Sequence, residues 1–546
     1  MRLASGGQVV PTAALPALPA AVQPMPAPLA ALTALAGGLT LAAAFPPAGI
    51  WPLAVVGPAL LVVALWQQRA RMALAVGAVF GLAFFFPLLS WLVNVAWYVW
   101  AALAVAETVI FAVLTVGQWL LLRLRAWPLA VAGWWVAAEA LRDRWPWEGF
   151  PWGRLVMSQA TSPTARWVAI GGPPFLTFLI ALTAACLAWL LLGPARAPAA
   201  GRIGLPAVRA RIWPAIALVA MAGLAASGAL LPADGGGSGQ RTAVVAAIQG
   251  DVPHARSLSN LLRATTVTQN HVSATERLAA LVANGRAPSP DLVIWPENST
   301  DQDPSFNPYI AQLISGAVAA IDRPVLVGAV LQEPLRNAGQ LWLPGKGPVA
   351  TYVKRRLVPF GEVIPFRGLL DTFTSLPSLQ PVNFTPGHRA VVFGVGKIRL
   401  GDVICYEVGF DGLVSSEVAA GANVLAVQTN DADFELDGQT GETLQQLDMA
   451  RIRAIEHDRA VVVASTTGIS AIIAPDGQLQ ASSRTWGQAE IEARVPLRTE
   501  RTLADKIGGW PEGLITFATL AALGLALTDA IRVRRRHPAA RRQAAQ

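Results

Sequence analysis

The chain has 546 residues, of which 53% are hydrophobic and 14% charged, with 19 tryptophans and a formal net charge of +8. So apolar a composition excludes a wholly soluble protein, and the charged share excludes a plain bundle of membrane spans. The positive charge comes largely from arginines beside apolar runs, which reads as membrane orientation and not as a nucleic-acid surface. The latter would need basic residues on a soluble face with stacking aromatics, and the one dense basic cluster, RVRRRHPAARR, abuts an apolar run.

Residues 1–28, rich in Ala and Pro, read as a disordered N-terminus lacking the basic start, compact apolar core and cleavage site of a signal peptide. Apolar runs follow at 29–45, 51–66, 73–95, 100–122, 128–141, 167–192 and 212–231, with an eighth at 511–531. Each approaches the ~20 residues a helix needs to cross a bilayer. Residues 29–231 therefore read as a transmembrane bundle of about seven helices, and 511–531 as a last transmembrane helix. Every second loop is basic: Arg69 and Arg71, then Arg123 and Arg125, then Arg196, Arg202, Arg209 and Arg211, and finally Arg532, Arg534, Arg535 and Arg536. The positive-inside rule then puts both termini, with the basic tail 532–546, in the cytoplasm and the long segment before the last helix outside.

Two polar features stand out in the apolar half. Glu107 is the one carboxylate well inside an apolar run, either functional or a helix-to-helix hydrogen bond. After the fifth run, Glu139, Arg142, Asp143, Arg144 and Glu148 precede GFPW (149–152) and Arg154. Such a mixture either anchors the bundle at the interface or lines the mouth of a lipid-accessible site.

Residues 232–240, PADGGGSGQ, form a flexible linker by composition. From 241 to 505 strands and helices alternate. Strands are expected at 242–248, 292–295, 325–330, 349–354, 391–394, 398–404, 423–428, 460–465 and 469–474, and helices at 256–283, 310–321, 410–419 and 440–458. The alternation predicts an α/β layered domain with its own core.

Three polar residues follow buried strands: Glu297 after LVIWP, Lys354 after VATYV and Cys405 after RLGDVI. Strand ends are where α/β sheets collect reactive groups. Cys405 by itself reads first as a buried structural thiol and only second as a nucleophile beside Glu407. Lys354 is one of only four lysines, with Lys346, Lys397 and Lys506, in a chain that supplies positive charge almost always as arginine. An amine there is a compact, tunable charge that guanidinium cannot replace. Together the three make a carboxylate, an amine and a thiol, a complete set for nucleophilic catalysis. The five histidines have no metal-ligand spacing.

The motifs around these residues are WPEN with Glu297, YVKRRLVPFGEVIPF with Lys354 and Glu362, ICYE with Cys405, then NDADF, RAIEHDR and TTGIS, and GFPW in the apolar half. In this order they resemble the apolipoprotein N-acyltransferase family, whose soluble part belongs to the nitrilase superfamily, over nearly the whole stretch from Leu29 to Ile531. The resemblance implies an eight-helix transmembrane bundle plus an αββα nitrilase-like domain at 241–505, extracytoplasmic on a multi-pass protein of the inner (cytoplasmic) membrane. It implies acyl transfer from a phospholipid donor, through a thioester on Cys405, to the N-terminal amine of a diacylated apolipoprotein, the last step of lipoprotein maturation. Glu297 would be the base and Lys354, with the Tyr406 backbone N–H, the oxyanion hole. Glu362 and Glu407 would orient the site, and no cofactor or metal is implied. A membrane-anchored amidase acting on a small amide is the alternative. The chain departs from the family pattern at Asp433, where an aromatic residue is usual, and at Thr467, where asparagine is expected; both bear on substrate preference.

Overall fold

The apolar runs of the first half become helices packed closely enough that glycine is required between them. These are α1 (Ala27–Ala42), α2 (Leu53–Leu65), α3 (Ala70–Leu88), α4 (Trp97–Leu121), α5 (Trp127–Arg142), α6 (Val168–Leu192) and α7 (Leu205–Gly228). At Gly38 of α1 a Cβ would lie 2.4 Å from the Phe80 carbonyl oxygen of α3, so only hydrogen fits where the backbones cross. The computed structural model describes residues 24–192, 205–228, 230, 241–253, 260–368, 372, 381–432, 434 and 440–536. The stretch to residue 23, Arg196, Arg202, the linker 232–240, Asp433 and the tail beyond 536 lie outside the described residues.

Helices stand on all eight expected runs, but their lengths differ. Those within 70–88, 97–121, 163–192 and 510–532 are long and apolar enough to cross a membrane. Helices α1, α2 and α5 have 16, 13 and 16 residues, and the third run closes with a 3-10 turn at Ser90–Asn94 in place of continuous helix. Glu107 pairs with Arg142 of α5 at 2.6 Å, both buried, so its carboxylate is committed to an ion pair inside the bundle.

The second half is a sandwich of two six-stranded sheets. Its elements are β1 (Thr242–Gln249), α8 (Asn260–Ala283), β2 (Leu292–Ile294), α9 (Pro308–Ile321), β3 (Val325–Leu331), β4 (Arg336–Leu343), β5 (Gly347–Val353), β6 (Val392–Val395), β7 (Ile398–Ile404), α10 (Asp411–Ala419), β8 (Val424–Thr429), α11 (Gly441–His457), β9 (Ala460–Ser465), β10 (Ala471–Ile473), β11 (Leu479–Ser482), β12 (Ala489–Pro496) and α12 (Leu503–Ile507), before α13 (Trp510–Arg536). One sheet runs β12-β1-β2-β3-β4-β5 and the other β11-β10-β9-β8-β7-β6. Val245, Ile294 and Leu341 of the first meet Leu400, Ile404, Ala426 and Val462 of the second in a shared apolar layer. The outer face of the first is covered by α8 and α9 through Leu278 and Ile314, and that of the second by α11 through Met449 and Ile452. This is the expected αββα arrangement.

Three strands depart from the sequence reading. The polar residues of RNAGQLWL mask strand β4, yet Asn337 and Gln340 are buried because β4 lies inside the sheet between β3 and β5. Strands β11 and β12 carry Gln480, Glu490, Glu492 and Arg494 on partly exposed edges, where apolar burial leaves little pattern.

The apolar layer under α11 continues into the bundle: Tyr406, Phe410 and Leu447 share one cluster with Trp91, Trp152 and Leu155. At its rim, Asp411 at the start of α10 accepts two bonds from Arg154, at 2.7 and 2.9 Å, and pairs with Arg453 of α11 at 2.7 Å. Arg154 also pairs with Asp143 at 3.2 Å, and Arg453 with Glu456 at 2.6 Å. Burial works to raise the Asp411 carboxyl, but the two guanidiniums outweigh it and hold it below the ordinary carboxylate range. A depressed pKa means that this contribution to stability is present above about pH 4 and is lost as pH falls through the lower folded value. Asp411→Ala leaves two buried arginines undercompensated and is expected to cost about 3 kcal/mol. Thermal unfolding of the detergent-solubilised protein should show this as a lowered midpoint at pH 7, with the deficit narrowing below pH 4.

Candidate active site

Strand β7 ends at Ile404 and the chain enters a single 3-10 turn, Cys405–Gly409. Cys405 takes φ +52°, a left-handed conformation that a residue with a Cβ adopts only when its surroundings impose it. Glu407 imposes it. Fully buried, its carboxylate accepts the Ile404 N–H at 2.8 Å and the Tyr352 hydroxyl at 2.8 Å, while its other oxygen accepts the Arg355 and Arg356 N–H groups at 2.6 and 3.0 Å. One side chain thus ties the cysteine turn to the backbone just after Lys354. Burial pushes the Glu407 carboxyl up, and these donors oppose the rise.

Lys354 follows β5 and is almost wholly buried. Its Nζ lies 2.9 Å from Glu297 Oε1 and 3.1 Å from Glu362. Asn337 of β4 donates to the same oxygen of Glu297 at 2.7 Å and to Glu362 at 2.8 Å. The second oxygen of Glu297 accepts the Asn430 N–H at 3.0 Å, and that of Glu362 accepts the Val358 N–H at 2.8 Å. The ends of β2, β5, β7 and β8 therefore converge: Pro296 turns the first, the Glu407 bonds tie β5 to β7, and Asn430 ties β8 to Glu297.

The charges divide in a usable way. Burial works to lower the Lys354 ammonium, but Glu297, Glu362 and Cys405 outweigh it and hold it well above its usual range. Burial raises the Glu297 carboxyl; Lys354 opposes this and Glu362 adds to it. Burial and then Glu297 push the Cys405 thiol well up, against the pull of Lys354. The resting site is a neutral thiol, a permanent cation and a carboxylate more basic than usual. That combination suits proton removal from sulfur as it attacks a carbonyl.

All six residues expected from the sequence lie here, although Tyr406 turns its side chain towards the bundle. Its hydroxyl donates to the Gly149 carbonyl at 2.6 Å, and its ring stacks on Trp152 at 5.7 Å and 14°. GFPW therefore abuts the residue next to the candidate nucleophile. Asn337, Asn430 and Gln446 were not singled out in the sequence. Gln446 of α11 donates to Cys405 Sγ at 3.6 Å and to Glu442 at 3.2 Å. Asn430 could have been found within NDADF; Asn337 is hidden in the unrecognised β4. Trp91 meets Phe434 edge-on at 5.2 Å and donates to Gln445 of α11, extending the aromatic wall. Thr467 is buried, and its hydroxyl has no partner among the described residues. Among the described residues no group of three or more His, Cys, Asp or Glu is placed to hold a metal ion.

Two families match the two halves of the chain: the apolipoprotein N-acyltransferase N-terminal domain over residues 37–186 and carbon-nitrogen hydrolase over residues 244–504. The apolipoprotein N-acyltransferase of Mycolicibacterium smegmatis is 38% identical over 530 residues, covering 92% of this chain and 85% of the relative. Those of Pseudomonas paraeruginosa and Vibrio cholerae are 28% and 27% identical, covering 85% and 84% of this chain and 89% of each relative. Among solved structures, a mutant of the amidase from Nesterenkonia sp. AN1 is similar at 17% identity and a TM-score of 0.35, covering 47% of this chain and 94% of that one. The chain belongs to the apolipoprotein N-acyltransferase family, and its second half is a carbon-nitrogen hydrolase domain of the nitrilase superfamily.

Proposed function

We propose that this protein moves an acyl chain from a membrane phospholipid, through a thioester on Cys405, to the N-terminal amine of a diacylglyceryl-cysteine lipoprotein. The observation that carries the reading is the position of Cys405: a thiol on a strained turn beside Lys354 and Glu297, whose next residue stacks on the apolar bundle. A site built for a soluble amide would have no use for that seam.

Glu297 takes the thiol proton as Sγ attacks the ester carbonyl. Negative charge develops on the carbonyl oxygen, where the Lys354 ammonium and the Tyr406 N–H stabilise it. The C–O bond breaks, Glu297 returns the proton to the leaving alkoxide, and the lysophospholipid departs from a Cys405 thioester. The lipoprotein amine then attacks that thioester, Glu297 takes its proton and the C–S bond breaks. The product is an amide, and the sulfur recovers the proton. Glu362 and Asn337 hold Lys354 and Glu297 in register, and Glu407 holds the turn.

Cys405, Glu297 and Lys354 are 8%, 5% and 1% exposed, which supports a reaction kept from bulk water. The domain boundaries follow the same reading: bundle at 29–231, catalytic domain at 241–505 and a last span at 511–531. The short helices α1, α2 and α5 count as spans because they pack among longer ones. Alternation of arginine between loops supports an extracytoplasmic catalytic domain at the cell membrane, where both lipid substrates would be anchored.

Incubation of the purified protein with phospholipid should give an acyl adduct on Cys405 by mass spectrometry, discharged by a diacylated lipopeptide. An adduct discharged only by water would favour an amidase-like hydrolase, and no adduct at all would sink the proposal. Lys354→Arg keeps the charge but not the compact ammonium, and should slow acylation about a hundredfold or more. The acid limb of the acylation rate should lie above the ordinary carboxylate range, because Glu297 must be ionised to act and its pKa is raised. Glu362→Gln removes a negative neighbour that contributes to that rise, so the limb should move to lower pH in single-turnover profiles.

A further inference from the structure

Between the two sheets, under the reactive cluster, lies a carboxyl group for which the chemistry above has no use. Ile398, Leu400 and Ile404 of β7 face the intersheet core, and Asp402 shares their side of the strand. Asp402 is fully buried and neither of its oxygens has a hydrogen-bond partner among the described residues. Opposite it, on β4, is Gly339. A Cβ there would stand 2.0 Å from Asp402 Oδ2 and 2.7 Å from Oε1 of Gln428 on β8, so the two oxygens converge over the glycine. Gln428 Oε1 is also buried without a partner among the described residues. The amide cannot be turned round to relieve this, because its Nε2 donates to the Trp295 carbonyl at 2.5 Å. Trp295 is followed by Pro296 and Glu297, so Gln428 grips the backbone that aims the carboxylate.

Two desolvated acceptors crowded over one glycine are each left uncompensated unless a hydrogen is shared between them. Among the described residues no donor reaches these oxygens in hydrogen-bonding geometry. The carboxylates acting on Asp402 are those of Glu407 beyond β7, Glu417 on α10 and Glu297 beyond β2. The Tyr352 hydroxyl on β5 is committed to Glu407, and Arg355 to Glu417 and Tyr352. Burial first, then Glu407 and Glu417, drive the Asp402 carboxyl well above its usual range; the Val403 N–H opposes them, but outside hydrogen-bonding geometry.

We propose that Asp402 is a neutral carboxylic acid donating its proton to Gln428 Oε1, and that this Asp402–Gln428–Trp295 chain is a positioning device for Glu297. The positioning half rests on Glu297 being the base; the protonation half does not. Closing the chain needs a residue without a side chain at 339, since any Cβ would part the two oxygens.

A group that keeps its proton on folding but loses it on unfolding makes stability fall as pH rises above about 4, by up to tenfold per pH unit in the folding constant. Asp402→Asn keeps the shape and a donor but cannot titrate. In the full-length protein in detergent, its thermal midpoint should exceed the parent's at pH 8, with the difference shrinking towards pH 5. Acylation of Cys405 by phospholipid should stay within about threefold of the parent for Asp402→Asn and fall about tenfold or more for Asp402→Ala and Gly339→Ala. The proposal fails if Asp402→Asn is destabilised equally at both pH values, if it acylates as slowly as Asp402→Ala, or if Asp402→Ala acylates at the parental rate. Glu297→Gln in the same assay separates the two readings. Parental acylation in that variant would remove Glu297 as the base and the positioning half with it, while the pH-dependent difference for Asp402→Asn would still report the proton.

Discussion

Asp411, shared between Arg154 and Arg453, is the joint on which the rest of the molecule depends. One arginine belongs to the loop that follows α5 of the bundle, the other to α11 over the second sheet, and both are almost wholly buried. Buried ion pairs gain little net stability over apolar packing, but they reject alternatives, because a misplaced partner leaves a desolvated charge. Apolar surfaces can slide; this node cannot. Arg453 extends the constraint by donating to the Val408 and Gly409 carbonyls at 2.8 and 2.9 Å. The segment four residues past Cys405 is therefore indexed directly to the bundle.

With that end fixed, Glu407 fixes the other. It reaches the Ile404 N–H on one side of Cys405 and the backbone after Lys354 on the other. A cysteine at φ +52° costs on the order of 1–3 kcal/mol and persists only because both flanks are over-determined. The turn carries the thiol off the line of the strand, to where Glu297 and Lys354 act on it electrostatically. Conformational constraint at this turn and ionic constraint at Asp411 act on the same nine residues, Ile404 to Gly412. The stretch that carries the candidate chemistry is therefore also the stretch that carries the mechanical load.

Much of this was legible in the sequence, and what was not has identifiable causes. Strands β1, β2, β3, β8 and β9 are predominantly apolar because they are buried almost throughout, and such runs announce themselves; in β7 the alternating Ile398, Leu400 and Ile404 do the same. Cys405 could be read because it directly ends β7, and Glu297 because it follows β2 and Trp295-Pro296; Lys354, after a β5 that the structure leaves largely unburied against expectation, could be read from the scarcity of lysine. Strand β4 could not, since its interior place is held by Asn337, Gly339 and Gln340, whose reasons for burial lie in partners distant in sequence. Asn337 was lost with it. Gln446 shows the same limit on a helix: nothing in QQLDMAR distinguishes the glutamine that meets sulfur from its neighbour, which meets Trp91. Helices α1 and α2 close before their apolar runs do, because apolar composition runs on into turns, whereas α5 extends one residue past each end of its run.

The aromatic seam joins these constraints to selectivity. Phe150, Trp152, Tyr406 and Phe410 form successive ring contacts from the GFPW loop to the turn after Cys405, and Trp91 links them to Phe434. Aromatic walls bury a large apolar area at low entropic cost, and those with a polar handle anchor it where apolar and wet surroundings meet. Tyr406 does so through its bond to the Gly149 carbonyl, so the wall cannot retreat from the nucleophile without breaking a buried hydrogen bond. A thioester formed at Cys405 would thus stand against rings that belong to the bundle as much as to the sandwich. On the proposed reading an acyl chain arriving along the seam would meet these rings, and Cys405, 8% exposed, leaves little surface to water. On the proposed reading, the bundle layer packed against the carbon-nitrogen hydrolase domain would be what favours transfer over hydrolysis.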